Sequence, residues 1–102
     1  EAAVGMFEIA LEFDRDYAPA YCGLADALAQ TYERDGDAQL LRRADAASQR
    51  AVELAPQHAD SHLCRGRILL MQQRTAEARA EFEIALSITP GAEEAVRALN
   101  AL

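Results

Sequence analysis

A short string that occurs twice constrains this chain more than any other feature. The string Phe-Glu-Ile-Ala-Leu stands at residues 7–11 and returns at residues 82–86. Between these copies lies a weaker one, and three sets of residues recur at common spacings of 41 and 34: Ala3, Ala44 and Ala78; Phe7, Ser48 and Phe82; Ala10, Ala51 and Ala85. Self-similarity at a period near 34 residues is typical of stacked structural repeats.

The apolar pattern inside each repeat has a helical period. Tyr21, Leu24, Ala25 and Leu28 follow the i, i+3, i+4, i+7 spacing of one helix face. Runs that alternate in the manner of a strand are missing, so the chain is predicted to be all-α. We predict six antiparallel helices near residues 2–14, 18–33, 38–54, 60–72, 75–88 and 92–101. Asp37 and Thr75 are the predicted N-caps, and Pro56 and Pro90 are predicted to stop the helices before them.

The 34-residue period, with two helices in each repeat, resembles the tetratricopeptide repeat family. Residues 59–92 carry the family's positions for a whole unit: His62, Gly66, Leu69, Ala78, Phe82, Ala85 and Pro90. Residues 18–58 fit another unit through Tyr21, Leu24, Ala25, Leu28, Ala44, Ser48, Ala51 and Pro56. The resemblance implies a right-handed superhelix of helix pairs, with small residues where helices approach closely. Arg65 stands where the family usually has Leu, so its guanidinium must reach solvent or an acid.

The resemblance divides residues 1–102, one solenoid segment, into four parts. Residues 1–17 fit a second helix, 18–58 a whole repeat, 59–92 another, and 93–102 a partial repeat or capping helix. The repeat 18–58 holds seven extra residues between Tyr32 and Ala44. Seven residues make about two helical turns, so we expect residues 33–37 to connect the helices and 38–43 to extend the second one. An enlarged loop is the alternative.

Composition and charge narrow the functional classes. The net charge of −7 comes from 17 acids against 10 arginines, which disfavours nucleic acid as a partner. The longest run of large apolar residues, 68–71, is far shorter than the about 20 residues that cross a bilayer, so no membrane segment is expected. Without secretory features a cytoplasmic location is expected, and Cys22 and Cys64 are predicted to be free buried thiols, with a disulfide as the alternative.

Motifs for catalysis or cofactor binding are missing from the sequence. It has no Gly-rich phosphate loop, no Gly-x-Ser-x-Gly and no Cys-x-x-Cys, so we predict no enzyme activity and no cofactor. One cluster joins residue types that bind metals: His58, Asp60, His62 and Cys64. His62 falls on the large packing position of the repeat, so packing is favoured over a metal site.

The resemblance implies a function in protein–protein interaction, through a concave groove lined by the first helix of each pair. The expected groove residues are Cys22, Asp26, Ala29, Gln30, Leu63, Arg67, Leu70, Met71 and Arg97. Arg67 and Arg97 are expected to meet a carboxylate of a bound peptide or partner helix. In the family's chaperone-binding members a Lys and an Asn stand where this chain has Cys22 and Asp26, which disfavours that function.

A second hypothesis is a structural or self-association module with no groove ligand. Residues 2–14 would leave Phe7 and Leu11 partly bare, and Leu99 and Leu102 lie near the other end. A second copy that covers either face would give a homodimer. Similar repeats are commonly attached to bacterial signalling chains, such as transcriptional regulators and Ser/Thr kinases, and we expect this setting under either hypothesis.

Overall fold

Six α-helices account for most of the protein. The computed structural model describes residues 2–102, in which there are six helices and no strand. Their bounds are α1 (Ala2–Phe13), α2 (Ala18–Asp35), α3 (Ala38–Leu54), α4 (Ala59–Met71), α5 (Thr75–Ile88) and α6 (Glu93–Ala101). The predicted all-α helical solenoid is therefore confirmed. Glu1, the first residue of the expected segment 1–17, lies outside the described residues.

The connection between α2 and α3 shows how local chemistry sets the helix ends. Gly36 ends α2 with φ 70°, a left-handed conformation that glycine adopts without a steric penalty. Asp37 then caps α3, because its carboxylate accepts a hydrogen bond from the Gln39 amide at 2.9 Å. The predicted cap at Asp37 is therefore confirmed.

The predicted cap at Thr75 is wrong. Helix α5 begins with Thr75 itself, and Arg74 occupies the N-cap position with no side-chain cap. The cause lies in the preceding turn, where Gln73 has φ 61° and the Arg74 amide bonds back to the Leu69 carbonyl at 2.9 Å. This closure of α4 starts the next helix one residue earlier than the capping pattern suggests.

The extra residues of the first whole repeat lengthen both of its helices. Helices α2 and α3 have 18 and 17 residues, against 13 and 14 in α4 and α5. Residues 38–43 are helical, as predicted. Residues 33–35 continue α2 instead of forming the connection, which consists of Gly36 and Asp37 alone. The added turns keep the same face toward the core, because about two whole turns preserve the helical register.

Alanine and glycine let neighbouring helices approach closely. Each helix packs on the next one, and α2 also packs on α4, so these two helices form adjacent parts of one layer. Fully buried alanines occupy the repeated small positions: Ala25, Ala44, Ala51, Ala78 and Ala85. Phe82 fills the space beside Gly66, where an added Cβ would lie 2.7 Å from Phe82 Cζ. The alanine excess of the sequence, 23 residues, thus has a packing cause.

Two apolar stripes of α1 are exposed to different extents. Phe7 packs against the core beside Gly23, and Leu11 is half-buried. Met6, Ile9 and Phe13 are the exposed ones, with 67%, 55% and 89% of their surface accessible. They lie three and four residues apart and therefore share one face. The predicted face of Phe7 and Leu11 is thus partly bare as expected, and Met6, Ile9 and Phe13 form a second, more exposed stripe that the repeat pattern did not indicate.

Candidate functional site

The structure brings five of the nine predicted groove residues around one cavity. The cavity has a volume of about 410 Å³ and lies between α2 and α4. Asp26, Ala29 and Gln30 line it from α2, and Arg67 and Met71 line it from α4. Two residues that sequence reasoning missed, Glu33 and Ile68, complete the wall. The concave surface is therefore a depression with an apolar floor and charged edges.

The other four predicted residues lie elsewhere. Leu63 is buried and packs with Leu70 in a core cluster that also contains residues of α5 and α6. Arg97 is exposed on α6, and Cys22 is half-buried on α2 beside the core. Leu63 and Leu70 are thus taken up by packing between repeats. The apolar contribution to the cavity comes from Ala29, Ile68 and Met71 instead.

Arg67 is held by two carboxylates of the chain itself. Its Nη1 donates to both carboxylate oxygens of Glu94 at 2.8 and 2.7 Å. Its Nη2 donates to Asp26 Oδ2 at 3.1 Å. Burial works against the charge, but Glu94 and Asp26 outweigh it and raise the pKa of Arg67. The guanidinium therefore bridges α2, α4 and α6 and is already paired, in contrast to the expected contact with a ligand carboxylate.

One half of this bridge has a signal in the sequence. Asp26 and Arg67 stand 41 residues apart, which is the spacing between the first two repeats, so they occupy equivalent positions on neighbouring inner helices. An acid and a base at equivalent positions face each other when repeats stack. Glu94 follows no such register, and only the structure identifies it as the second partner.

The two cysteines meet in the fold. Both thiols are free and Cys64 is fully buried in the core cluster against which Cys22 packs. The Cys22 sulfur lies 4.0 Å from the carbonyl oxygen of Asp60, one turn before Cys64 on α4, so the two side chains meet where α2 contacts α4. The Cys64 thiol lowers the pKa of Cys22, whereas the interaction with Cys22 and burial raise the pKa of Cys64. The predicted free thiols are therefore present, but Cys22 is half-buried rather than buried, and the two form a pair.

His62 is built into the packing of α4 on α5. Its Nδ1 lies 2.7 Å from Glu81 Oε1, and its Nε2 lies 2.7 Å from the Pro56 carbonyl oxygen. A carbonyl oxygen only accepts, so Nε2 carries the hydrogen of that contact. Both ring nitrogens are engaged, and His58 lies in the connection before α4. Among residues 2–102, no group of three or more His, Cys, Asp or Glu side chains is arranged to hold a metal ion.

Arg65 finds the acid that its position requires. The guanidinium is buried and pairs with the Asp45 carboxylate of α3. Its Nη1 also donates to the Asp45 carbonyl at 3.1 Å and to Ser48 Oγ at 3.0 Å. Ser48 stands at the repeat position that Phe7 and Phe82 occupy in the other copies, and its hydroxyl is one of the groups that Arg65 contacts. Arg65, Asp45 and Ser48 therefore form a polar contact between α3 and α4.

Comparisons with known proteins agree with this architecture. A family model described as tetratricopeptide repeat matches residues 47–80, from the second half of α3 through α4 into α5. Among solved structures, the TPR domain of Arabidopsis OM64 is similar, with a TM-score of 0.83 and 23% sequence identity over 97% of this chain and 76% of that chain. At 23% sequence identity, this similarity supports the fold and nothing further about function. No curated protein sequence matches the chain. Within the described part of the chain, no helix is long and apolar enough to cross a membrane.

Proposed function

We propose that this chain, whose fold is that of a tetratricopeptide-repeat solenoid, binds a segment of another protein in its concave cavity without catalysis. Repeats of this kind serve in protein–protein interaction. The observation that carries the proposal is the cavity of about 410 Å³ between α2 and α4, which has an apolar floor and charged edges. A groove of this make-up suits an extended peptide or one face of a helix. A cytoplasmic place in a bacterial signalling chain is part of the proposal and rests on the sequence alone.

The charges around the cavity favour a basic ligand. Arg67 is paired with the carboxylates of Asp26 and Glu94, and Glu33 adds a third carboxylate to the cavity lining. Since Arg67 is already paired with two of them, the edge is negative as a whole. An acidic peptide would have to break the contacts to Glu94 or Asp26 and leave a carboxylate unpaired. A segment with Lys or Arg beside an apolar side chain instead meets unopposed charge at Glu33 and an apolar floor at Met71.

Titration of the ¹⁵N-labelled chain with matched synthetic peptides tests this proposal. One peptide carries Arg and Leu in alternation, and the other has Glu at every Arg position. We expect the basic peptide to shift the amide resonances of Ala29, Gln30 and Met71, with saturable binding. We expect the acidic peptide to bind at least about tenfold more weakly, because its charges meet like charges at the cavity edge.

A pair of variants separates binding in the cavity from general attraction to an acidic protein. Gln30→Arg places a cation at the cavity, whereas Gln49→Arg makes the same change in net charge on exposed α3. We expect Gln30→Arg to weaken the basic peptide by about tenfold and Gln49→Arg to leave it nearly unchanged. Equal effects of the two variants, or shifts confined to α3 and α5, would contradict binding in the cavity.

The exposed stripe on α1 favours self-association as a second candidate function. Met6, Ile9 and Phe13 present a contiguous apolar face, and exposed apolar patches on soluble proteins commonly mark interaction sites. A second copy that packs its own stripe against this one forms a two-fold interface.

Light scattering over a range of concentrations tests self-association. We expect a concentration-dependent rise in mass for the unmodified chain and its loss in Phe13→Asp, since a carboxylate at this position opposes apolar contact. Glu12→Asp, a neighbouring exposed residue that keeps its charge, serves as the control. A monomeric mass for the unmodified chain at every concentration would leave the groove proposal standing and dismiss this one.

A further inference from the structure

The thiol pair between α2 and α4 has the asymmetry of a reactive and a resolving cysteine. Cys64 is fully buried in the core, whereas Cys22 is half-buried beside it. Cys22 also lines a cavity of about 190 Å³ formed by the start of α2, Ala55 and His58. Cys22 borders this cavity and fully buried Cys64 does not, so Cys22 is the cysteine that a small oxidant in the cavity meets.

The directions in which the two thiol pKa values are shifted also make Cys22 the reactive cysteine and Cys64 the resolving one. The Cys64 thiol stabilises the thiolate of Cys22 and lowers its pKa, which offsets the effects of burial and of Asp26. The pKa of Cys64 is raised, so Cys64 keeps its proton and acts as the donor. Since the thiolate is the nucleophile in cysteine oxidation, Cys22 is the sulfur that reacts first.

We propose that Cys22 and Cys64 form a peroxide-sensitive site that converts from a dithiol to an intramolecular disulfide between successive repeats. Cys22 first loses its proton to solvent, and its thiolate attacks one oxygen of hydrogen peroxide. The O–O bond breaks, and the hydroxide that leaves takes one proton from solvent and becomes water. The sulfenic acid formed on Cys22 is then attacked by the Cys64 sulfur. The S–O bond breaks, the S–S bond forms, and the leaving hydroxide takes the Cys64 proton as a second water. Two electrons pass from the sulfurs to the peroxide.

This bond would tie together the two inner helices next to the cavity proposed for binding. Cys22 and Asp26 lie one turn apart on α2, and Asp26 lines that cavity. The disulfide site is independent of any groove ligand, because it depends only on the contact between Cys22 and Cys64.

Oxidation of the whole folded chain tests the proposal. The chain is treated with increasing hydrogen peroxide, remaining thiols are alkylated, and the product is digested with trypsin. Because all ten bases are arginine, cleavage after Arg15, Arg34, Arg50 and Arg65 gives peptides 16–34 and 51–65, each with one cysteine. We expect these two peptides to be joined within one chain, to separate on reduction, and to form at least about tenfold faster in the folded chain than in urea.

Exposed Met6 provides the internal measure of oxidant dose. If both thiols still alkylate fully when Met6 is oxidised to the sulfoxide, or if the cysteines join only between chains, the proposal is overturned. Two variants test the roles separately. Cys64→Ala is expected to give a sulfenic acid at Cys22 that dimedone traps, and Cys22→Ser is expected to leave buried Cys64 unreactive in the folded chain. Dimedone labelling of Cys64 in Cys22→Ser, to the extent seen at Cys22, would refute the assigned order.

Discussion

Replacing Phe82 by alanine is expected to lower the free energy of unfolding by about 3–5 kcal/mol, the largest effect of any truncation in this chain. Phe82 is the largest fully buried side chain, with 1% of its surface accessible. Its ring fills the gap beside Gly66, and the flanking helices already touch through fully buried Ala78 and Ala85. Because these backbones cannot move much closer, the structure retains a cavity where the ring was.

The three phenylalanines of the chain supply matched comparisons for this prediction. Phe7 is half-buried on α1, and Phe13 has 89% of its surface exposed. We expect the same substitution to cost about 1–2 kcal/mol at Phe7 and less than about 0.5 kcal/mol at Phe13. Urea unfolding followed by far-UV circular dichroism measures all three, since the chain has no tryptophan.

The total stability of a domain of this length is about 5–15 kcal/mol, so the loss at Phe82 is a large part of it. We therefore expect Phe82→Ala to show a partly unfolded baseline at the higher temperatures of a thermal scan. Equal costs at Phe82 and Phe13 would contradict the packing of α5 on α4 described above.

Asp45→Asn is expected to destabilise the chain by about 2–3 kcal/mol, because it leaves the buried guanidinium of Arg65 without its counter-charge. The Arg65 side chain is 8% accessible and that of Asp45 is 33% accessible. The loss is thus smaller than for a pair wholly removed from water. The remaining contacts of Arg65, to Ser48 Oγ and the Asp45 carbonyl, satisfy hydrogens but supply no negative charge.

The pH dependence of stability gives the same interaction a second readout. Partial burial raises the pKa of Asp45, but the hydrogen bond from Arg65 outweighs it and holds the pKa below the usual 3.8. A carboxylate with a lowered pKa in the folded state stabilises the fold above its unfolded pKa. This stabilisation is lost as the pH falls below about 3.8 and through the folded pKa. We expect the unmodified chain to lose more stability over this range than Asp45→Asn does.

A surface ion pair provides the control for Asp45→Asn. Asp16 lies 3.5 Å from Arg50 with both side chains well exposed, so Asp16→Asn should cost less than about 0.5 kcal/mol. A double-mutant cycle isolates the pair: once Arg65→Leu has removed the guanidinium, we expect Asp45→Asn to cost little. A full cost of Asp45→Asn in the Arg65→Leu background would show that the carboxylate acts through other contacts, such as the one to Arg74.

The repeat pattern was sufficient to predict the helices, because stacking units must repeat the same packing residues. Predicted and observed helix ends differ by two residues or fewer, as at α2, which ends at Asp35 rather than at residue 33. The repeat pattern also predicted that Arg65, at a position usually occupied by Leu, would reach solvent or pair with an acid. That this acid is Asp45 did not follow, because the pairing depends on how α3 is rotated against α4.

The candidate site was harder to predict, since it depends on contacts between distant residues. Five of the nine expected groove residues surround one cavity, whereas Leu63 and Leu70 pack into the core. The repeat register predicts which face of a helix a residue lies on. It does not predict how much of that face the neighbouring helix buries. The pairing of Cys22 with Cys64 and of Arg67 with Glu94 arises from the tilt between helices, for which a single sequence has no pattern.

The bridge made by Arg67 has a mechanical consequence for the curvature of the array. The helices are held together by close contacts of fully buried alanines, whereas beside the cavity a half-exposed guanidinium lies between two carboxylates. The apolar contacts carry no charge for salt to screen, whereas dissolved ions weaken the solvent-accessible ion pairs. Because ions screen charges over about 8–10 Å at moderate salt, we expect the curvature of the array to respond to ionic strength through the Arg67 bridge.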